Sequence, residues 1–545
     1  MLHRTVSNRR CLASLELAAG GDRRRKAQPV ASYARDVARS PRVILLAGLV
    51  AAASVATGAC AATIELDVGA QPINESPTPA STPRVDSRLQ PDEALATPTP
   101  APTEVAAAPS PTPLAEPAPA ATPTPVPELP YGEAIDTYLA DIEAFWAGAA
   151  PALVDGGFVP VDAVVPYDPT ELDNIPACAG EVGPLEIYRE NAFYCEPDDY
   201  IAWDDAVLFP DLYRTYGDFS VGLVLAHEYG HAIQSRAEAI GPTVFLELHA
   251  DCLTGAWAGS VADGSRPGVP FESTDLDNAI GGFLTFADPR GTPAGDPGAH
   301  GTAFDRVNAF AQGFEGELPA CAQYLDDPPQ TASILIPPSD PSGGDLPLDQ
   351  LIPLLVTDLQ VYLDGLGRRE IDPSFDAPGE PVEFGSGIGD PPACGGAELS
   401  ADAIDGSAYY CETDRTVYID RFELQELWVE IGDFAPAYGV AHSYSMSVAV
   451  ESIAADPTAA VLAADCLVGV WARDIFDDAR LPAAARTHQI ELSAGDLDEG
   501  IVGLVLVPPI GPSLTASPGL QTFDRVSAFS AGFFRGVSQC PFSPG

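Results

Sequence analysis

Leu223-Val224-Leu225-Ala226-His227-Glu228-Tyr229-Gly230-His231-Ala232-Ile233-Gln234 carries His227, Glu228 and His231 in the order H-E-x-x-H. At about 3.6 residues per turn, His227 and His231 stand one above the other on one helix face. Two imidazoles so placed can grip one metal ion, with Glu228 flanking it about 100° around the helix. The other meaning of such a stretch is a core helix that happens to bear histidines. In a chain with only seven histidines, the pairing reads as a metal site.

A metal site of this kind needs at least one more protein ligand. The next helix-like segment, Glu247-Leu248-His249-Ala250-Asp251-Cys252, places Glu247 and Asp251 one turn apart. Glu247 is the expected third ligand, and Asp251 the acceptor that orients a ligand histidine from behind. His249 lies two residues from each, points roughly the other way, and is expected on the surface. A metzincin would need glycine at 234 and histidine at 237, where this chain has Gln234 and Ala237. That alternative is excluded.

Taken together, H-E-Y-G-H-A-I-Q, then E-L-H-A-D-C, then His300-Gly301-Thr302 followed by Arg306 and Gly313-Phe314, with Phe193-Tyr194-Cys195 upstream, resemble the putative neutral zinc metallopeptidase family. The resemblance implies one Zn2+ held by His227, His231 and Glu247 in gluzincin fashion. It implies that Glu228, as general base, activates the bound water to hydrolyse a peptide bond in a peptide or protein substrate. The rival from another class is a surface-anchored binding or scaffold protein that keeps a zinc site without turnover. Hydrolysis of amide bonds in a cell-wall peptide is a further possibility.

Composition divides the 545 residues. Residues 1–42 are basic, 43–59 are apolar, and 60–128 are rich in Pro, Ala and Thr. The formal charge is −51, but the first 59 residues hold 10 Lys and Arg against 3 Asp and Glu, leaving 17 against 75 in the remainder. So acidic a surface argues against nucleic acid and against docking on anionic lipid, and also serves solubility. The run from Val43 to Val55 follows a basic region and precedes Thr57-Gly58-Ala59-Cys60, the build of an export signal whose Cys60 accepts a lipid; ordinary cleavage nearby or an uncleaved anchor are the alternatives. Each places the rest of the chain outside the cytoplasm, with the membrane met only through that anchor. Units such as Thr97-Pro98-Thr99-Pro100 deny the backbone its donors and offer little to bury, so 60–128 reads as an extended disordered stalk.

Laying 129–328 over 346–545, with 329–345 as linker, exposes an internal repeat. Tyr194-Cys195-Glu196 recurs as Tyr410-Cys411-Glu412, and Gly217-Asp218-Phe219 as Gly432-Asp433-Phe434. Asp251-Cys252-Leu253 recurs as Asp465-Cys466-Leu467, each with a tryptophan further on (Trp257, Trp471), and Phe304-Asp305-Arg306-Val307 recurs as Phe523-Asp524-Arg525-Val526. The second copy has lost its chemistry, since His442-Ser443-Tyr444-Ser445-Met446 replaces the motif and Val461 stands in place of Glu247. One zinc, in the first copy, is the expectation, and the second copy is a degenerate pseudo-enzyme.

Apart from Cys11 and Cys60, the cysteines fall four to a copy at matching places. In an exported chain they read as disulfides Cys178 to Cys195, Cys252 to Cys321, Cys394 to Cys411 and Cys466 to Cys540. Helices are expected over 131–147, 219–239, 244–258, 302–315 and 351–363, with strand character over 193–203. The fold class is α+β, a mainly helical zincin-like domain present twice. His300 aligns with Gly519 in the stripped copy, so it is grouped with the residues kept for chemistry, as a donor to the developing oxyanion.

Overall fold

The structure, a computed structural model, describes residues 129–541 apart from 155–156, 297, 337–343, 372, 386–392, 399–407, 453–455 and 507–519. The apolar run at 43–59, Cys60, the stalk, Gly519 and part of the 329–345 linker lie outside the described residues. Among the described residues no helix is long and apolar enough to cross a membrane.

The chain is mostly helical with short strands. Helix α1 (Tyr131–Ala149) buries Ala134, Tyr138, Ile142 and Trp146, a stripe repeating every fourth residue that faces the core. A sheet follows, made of β1 (Ala163–Tyr167), β2 (Ala192–Cys195) and β3 (Tyr200–Asp204). Its order is β1-β3-β2, with β1 parallel and β2 antiparallel to the central β3, so β2 is an edge. Helices α2 (Leu208–Tyr216), α3 (Asp218–Arg236), α4 (Thr243–Ala262), α5 (Ser273–Thr285) and α6 (Ala303–Gln323) complete the first half. Two of these, α2 and α5, go beyond the sequence reading. The last helix runs past its expected end, with a break at Glu317 (φ 55°) ahead of Pro319.

The second half repeats this order. It begins with α7 (Leu348–Glu370) and continues through β4 (Val382–Phe384), the small hairpin β5 (Ala393–Cys394) and β6 (Ala397–Glu398), then β7 (Ala408–Cys411) and β8 (Thr416–Asp420). The sheet order β4-β8-β7 again has a parallel and an antiparallel pairing on its central strand. Helices α8 (Arg421–Glu430), α9 (Phe434–Ser452), α10 (Pro457–Asp478), α11 (Asp496–Leu506) and α12 (Thr522–Arg535) follow. All four expected disulfides are present.

Helix α4 is buried on nearly every side, wedged between α3 and α6. Two glycines let it approach α6 so closely. A Cβ at Gly255 would lie 2.0 Å from the Phe310 carbonyl oxygen, and one at Gly313 would lie 1.9 Å from that of Cys252. The same pair recurs in the second half, where Gly469 faces Phe529 and Gly532 faces Cys466 at 2.0 and 1.9 Å.

The halves do not stand apart. Both fall within one compact unit with one continuous hydrophobic core. Phe304 meets Phe529 with ring centroids 5.1 Å apart, and Phe310 meets Phe523 at 5.8 Å. The contact is reciprocal at the helix ends: Phe304 N–H donates to Asp498 across the seam at 2.8 Å, and Phe523 N–H donates to Asp277 at 2.8 Å. Each half thus satisfies an open N–H at the start of the other's last helix.

Candidate metal centre

Helix α3 presents His227 and His231 toward α4, which returns Glu247 and Asp251 to the same face. His227 Nε2 lies 3.2 Å from Glu247 Oε2 and 3.2 Å from His231 Nε2, and His231 Nε2 lies 3.6 Å from Glu247 Oε1. The three side chains form a cluster able to hold a metal ion. Ligands about 2.0–2.1 Å from a tetrahedral ion stand roughly 3.3–3.4 Å from one another, close to each of these pairwise separations, although Glu247 meets the two rings through different oxygens.

Behind the triangle a second layer fixes the rings. His227 Nδ1 sits 2.9 Å from Asp251 Oδ1, which leaves Nε2 to face inward. His231 Nδ1 sits 3.0 Å from Gln234 Oε1, so the residue that excluded one family also orients a ring. Asp251 is itself clamped by Arg306 from α6, Nε to Oδ2 at 2.8 Å and Nη2 to Oδ1 at 2.9 Å, all buried. A buried pair of this kind adds little net stability over an apolar pair, so its value lies in holding Asp251 against His227.

The electrostatics follow from burial against charge. Burial opposes a charged His227, but Asp251 and Glu247 overcome it and push its pKa up to about 10. Burial also opposes a charged Glu247, yet the two imidazoles hold its carboxyl well below the usual range. The histidines and Glu247 thus stabilise one another's charged forms. Glu228, which faces the same space, is pushed up by burial, and the neighbouring histidines only partly offset that.

Glu228, the three candidate ligands, Arg306 and His300 line a cavity of about 630 Å³, whose other walls include Phe193 and Tyr194 of β2 and Phe283 of α5. His300 is brought to this cavity but sits at its mouth, its side chain 54% exposed, with Nδ1 3.7 Å from Asp288 Oδ1. That carboxylate raises its pKa.

His249 departs from expectation. It is fully buried, on the far side of α4 from Glu247, stacked on Phe245 and next to Tyr324. Burial pushes its pKa down to about 4, so it serves as a neutral core side chain. The helical spacing gave its direction correctly, but that direction meets α6 rather than water.

In the second half, Met446 and Val461 are core residues and His442 is buried. Burial pushes His442 down to about 4. The clamp survives nonetheless: Arg525 Nε and Nη2 reach Asp465 at 2.9 and 3.0 Å.

The chain is similar to curated bacterial proteins. It is 31% identical over 153 residues to the uncharacterized protein YpfJ of Escherichia coli K12, covering 24% of this chain and 52% of that one. It is 31% identical over 164 residues to the uncharacterized proteins Mb2605 of Mycobacterium bovis and Rv2575 of Mycobacterium tuberculosis, covering 25% of this chain and 53% of each. The chain thus spans about half the length of these relatives. No solved structure matches it. Residues 188–324, from just before β2 to just past the end of α6 and so enclosing every side chain of the triangle, match the model of the family described as "Putative neutral zinc metallopeptidase".

Proposed function

We propose that the first half is a zinc-dependent peptidase acting outside the cytoplasm, and that the second half is a duplicated zincin-like module that has given up the reaction. The observation that carries this reading is the spacing of the His227, His231 and Glu247 donor atoms, 3.2–3.6 Å, beside a buried carboxylate that is not part of the triangle. Two nitrogens and a carboxylate oxygen are the donor set of a catalytic zinc site, which leaves a position for water. When bound there, zinc supplies Lewis acidity, making water acidic near neutral pH and polarising a carbonyl.

The remaining work falls to the chain's own residues. Glu228 is placed to accept a proton from the attacking water and hand it to the leaving amine, and its raised pKa brings it toward the range where both transfers are efficient. Edge strand β2 lines the cleft, so an extended peptide has main-chain groups there to pair with. We assign His300, which lines the same cavity, as donor to the developing oxyanion.

The test uses the exported chain loaded with zinc against a denatured protein substrate. Chelator-sensitive cleavage that falls by about 10²–10⁴ in Glu228→Gln, with zinc still bound, is the expected result. Zinc binding at one equivalent without any cleavage would favour the scaffold reading instead.

A further inference from the structure

A second group of acids lies away from the cleft, where the second half meets the first. Asp345, Asp433 and Asp496 each place a carboxylate oxygen within 4.8 Å of the others. Oxygen ligands about 2.3–2.6 Å from a common ion lie at most roughly 4.6–5.2 Å apart, so the trio is compact enough to share one. Glu499 joins from the first turn of α11, next to Asp496, and reaches the N-terminus of α9, where its Oε2 accepts from Phe434 N–H at 3.0 Å. It fits because position 432 is glycine: a Cβ at Gly432 (φ +147°) would meet the Glu499 carboxyl at 2.2 Å. Arg290 of the first half contributes one positive charge, pairing with Asp345 and lying 3.2 Å from Glu499. Four carboxylates against one guanidinium leave an excess of negative charge in a largely buried place.

One oxygen there has nothing to do. Asp433 is 6% exposed, its Oδ2 accepts from Leu346 N–H at 2.6 Å, and its Oδ1 is buried without a hydrogen-bond partner among the described residues. The corresponding place in the first half is different. Asp218 accepts from Leu129 N–H and also from the Tyr138 hydroxyl at 2.9 Å. In the second half Leu355 stands where Tyr138 does, and Glu499 where Asn278 does. A donor has been lost and a carboxylate gained, while Asp218 and Asp275 stand in the first half where Asp433 and Asp496 do, and the place of Asp345 falls at Glu128, outside the described residues.

We infer that Asp345, Asp433, Asp496 and Glu499 form a calcium site in the second half, bound through carboxylate oxygens and water. The donors are all hard oxygens, which suits Ca2+ and not zinc, and a loosely disposed set accommodates 6–8 ligands better than the strict octahedron Mg2+ demands. The ion would join the starts of α7, α9 and α11. This assignment stands whether or not the first half cleaves peptides.

The test is equilibrium dialysis of the zinc-loaded full chain against ⁴⁵Ca2+. One calcium per chain with a dissociation constant of about 10⁻⁴–10⁻³ M is expected, as in extracellular modules. Glu499→Gln and Asp345→Asn should each weaken binding at least tenfold while zinc stays at one equivalent; Asp345 is partly exposed, so that variant keeps its fold. No calcium uptake by the wild-type chain, uptake unchanged in both variants, or displacement by an equal concentration of Mg2+ would overturn the assignment.

Discussion

Replacing Asp251 by asparagine separates what its carboxylate does for the fold from what it does for the metal. In the fold, Asp251 neutralises Arg306, and both are buried, 1% and 6% exposed. Asparagine keeps the shape but leaves the guanidinium without its counter-charge, and removing one member of a buried pair costs about 3–5 kcal/mol. At the metal, asparagine can still accept from His227 Nδ1 but no longer strengthens it electrostatically, and loss of such a support weakens metal binding about 10–100-fold. Asp465→Asn in the second half is the control, because Arg525 grips Asp465 as Arg306 grips Asp251. Both variants should lose about 3–5 kcal/mol in urea unfolding with chelator present. Only Asp251→Asn should lose metal affinity, measured by competition with a chromophoric chelator. If Asp465→Asn weakens the metal equally, or Asp251→Asn leaves it unchanged, the layered arrangement behind His227 is wrong.

Three further expectations concern other parts of the chain. His300→Ala should keep its zinc and lose about 10²–10³ in kcat, and an unchanged kcat would reduce His300 to a surface residue of the cavity mouth. Residues 129–330 produced alone should fail to give a folded monomer, because Phe304 and Phe310, each worth about 1.5–3 kcal/mol when buried, would lose Phe529 and Phe523; a monomer with a cooperative melt would refute this. In calcium-free buffer the melting temperature should fall as pH rises from about 5 to 9, since burial holds Asp498 at about 6, Asp305 at about 7 and Glu499 at about 9. The sign follows because each folded pKa exceeds the unfolded value, so the folded state binds more protons and gains stability below these values. A flat or rising profile would contradict the burial of these acids.

Much of the metal centre could be read from one-turn spacings. His227 and His231 share a face of one helix, Glu247 and Asp251 share a face of the next, and such periodicity needs no tertiary knowledge. The paired cysteines were legible for a similar reason, since two copies constrain each other's pairing. What spacing cannot reveal is what lies opposite. His249 points away from the metal as expected, yet α6 covers it. The clamp of Arg306 on Asp251 joins residues 55 apart and depends on Gly255 and Gly313 bringing two helices together, a notch with no local periodicity. Helix α5 carries an apolar stripe of Leu276, Ala279, Ile280, Phe283 and Leu284 at helical spacing, so it too was within reach of the sequence. The sharing of one core by both halves was hidden because a phenylalanine looks the same whether its partner belongs to its own half or the other.

The crossed caps of Asp277 and Asp498 have a consequence for how such a chain could arise. Each half offers both the donor helix end and the accepting carboxylate, so the surface is its own complement and needs no second kind of partner. Two separate copies of one half carrying both pieces would meet through it as an isologous pair, with a stability set by their concentration. Joining them end to end makes the encounter intramolecular, at an effective concentration that dilution outside a cell does not touch. Under that arrangement only one member has to keep a working centre. The other is released to change residue by residue, as long as it still presents its aspartate and its phenylalanines at the seam.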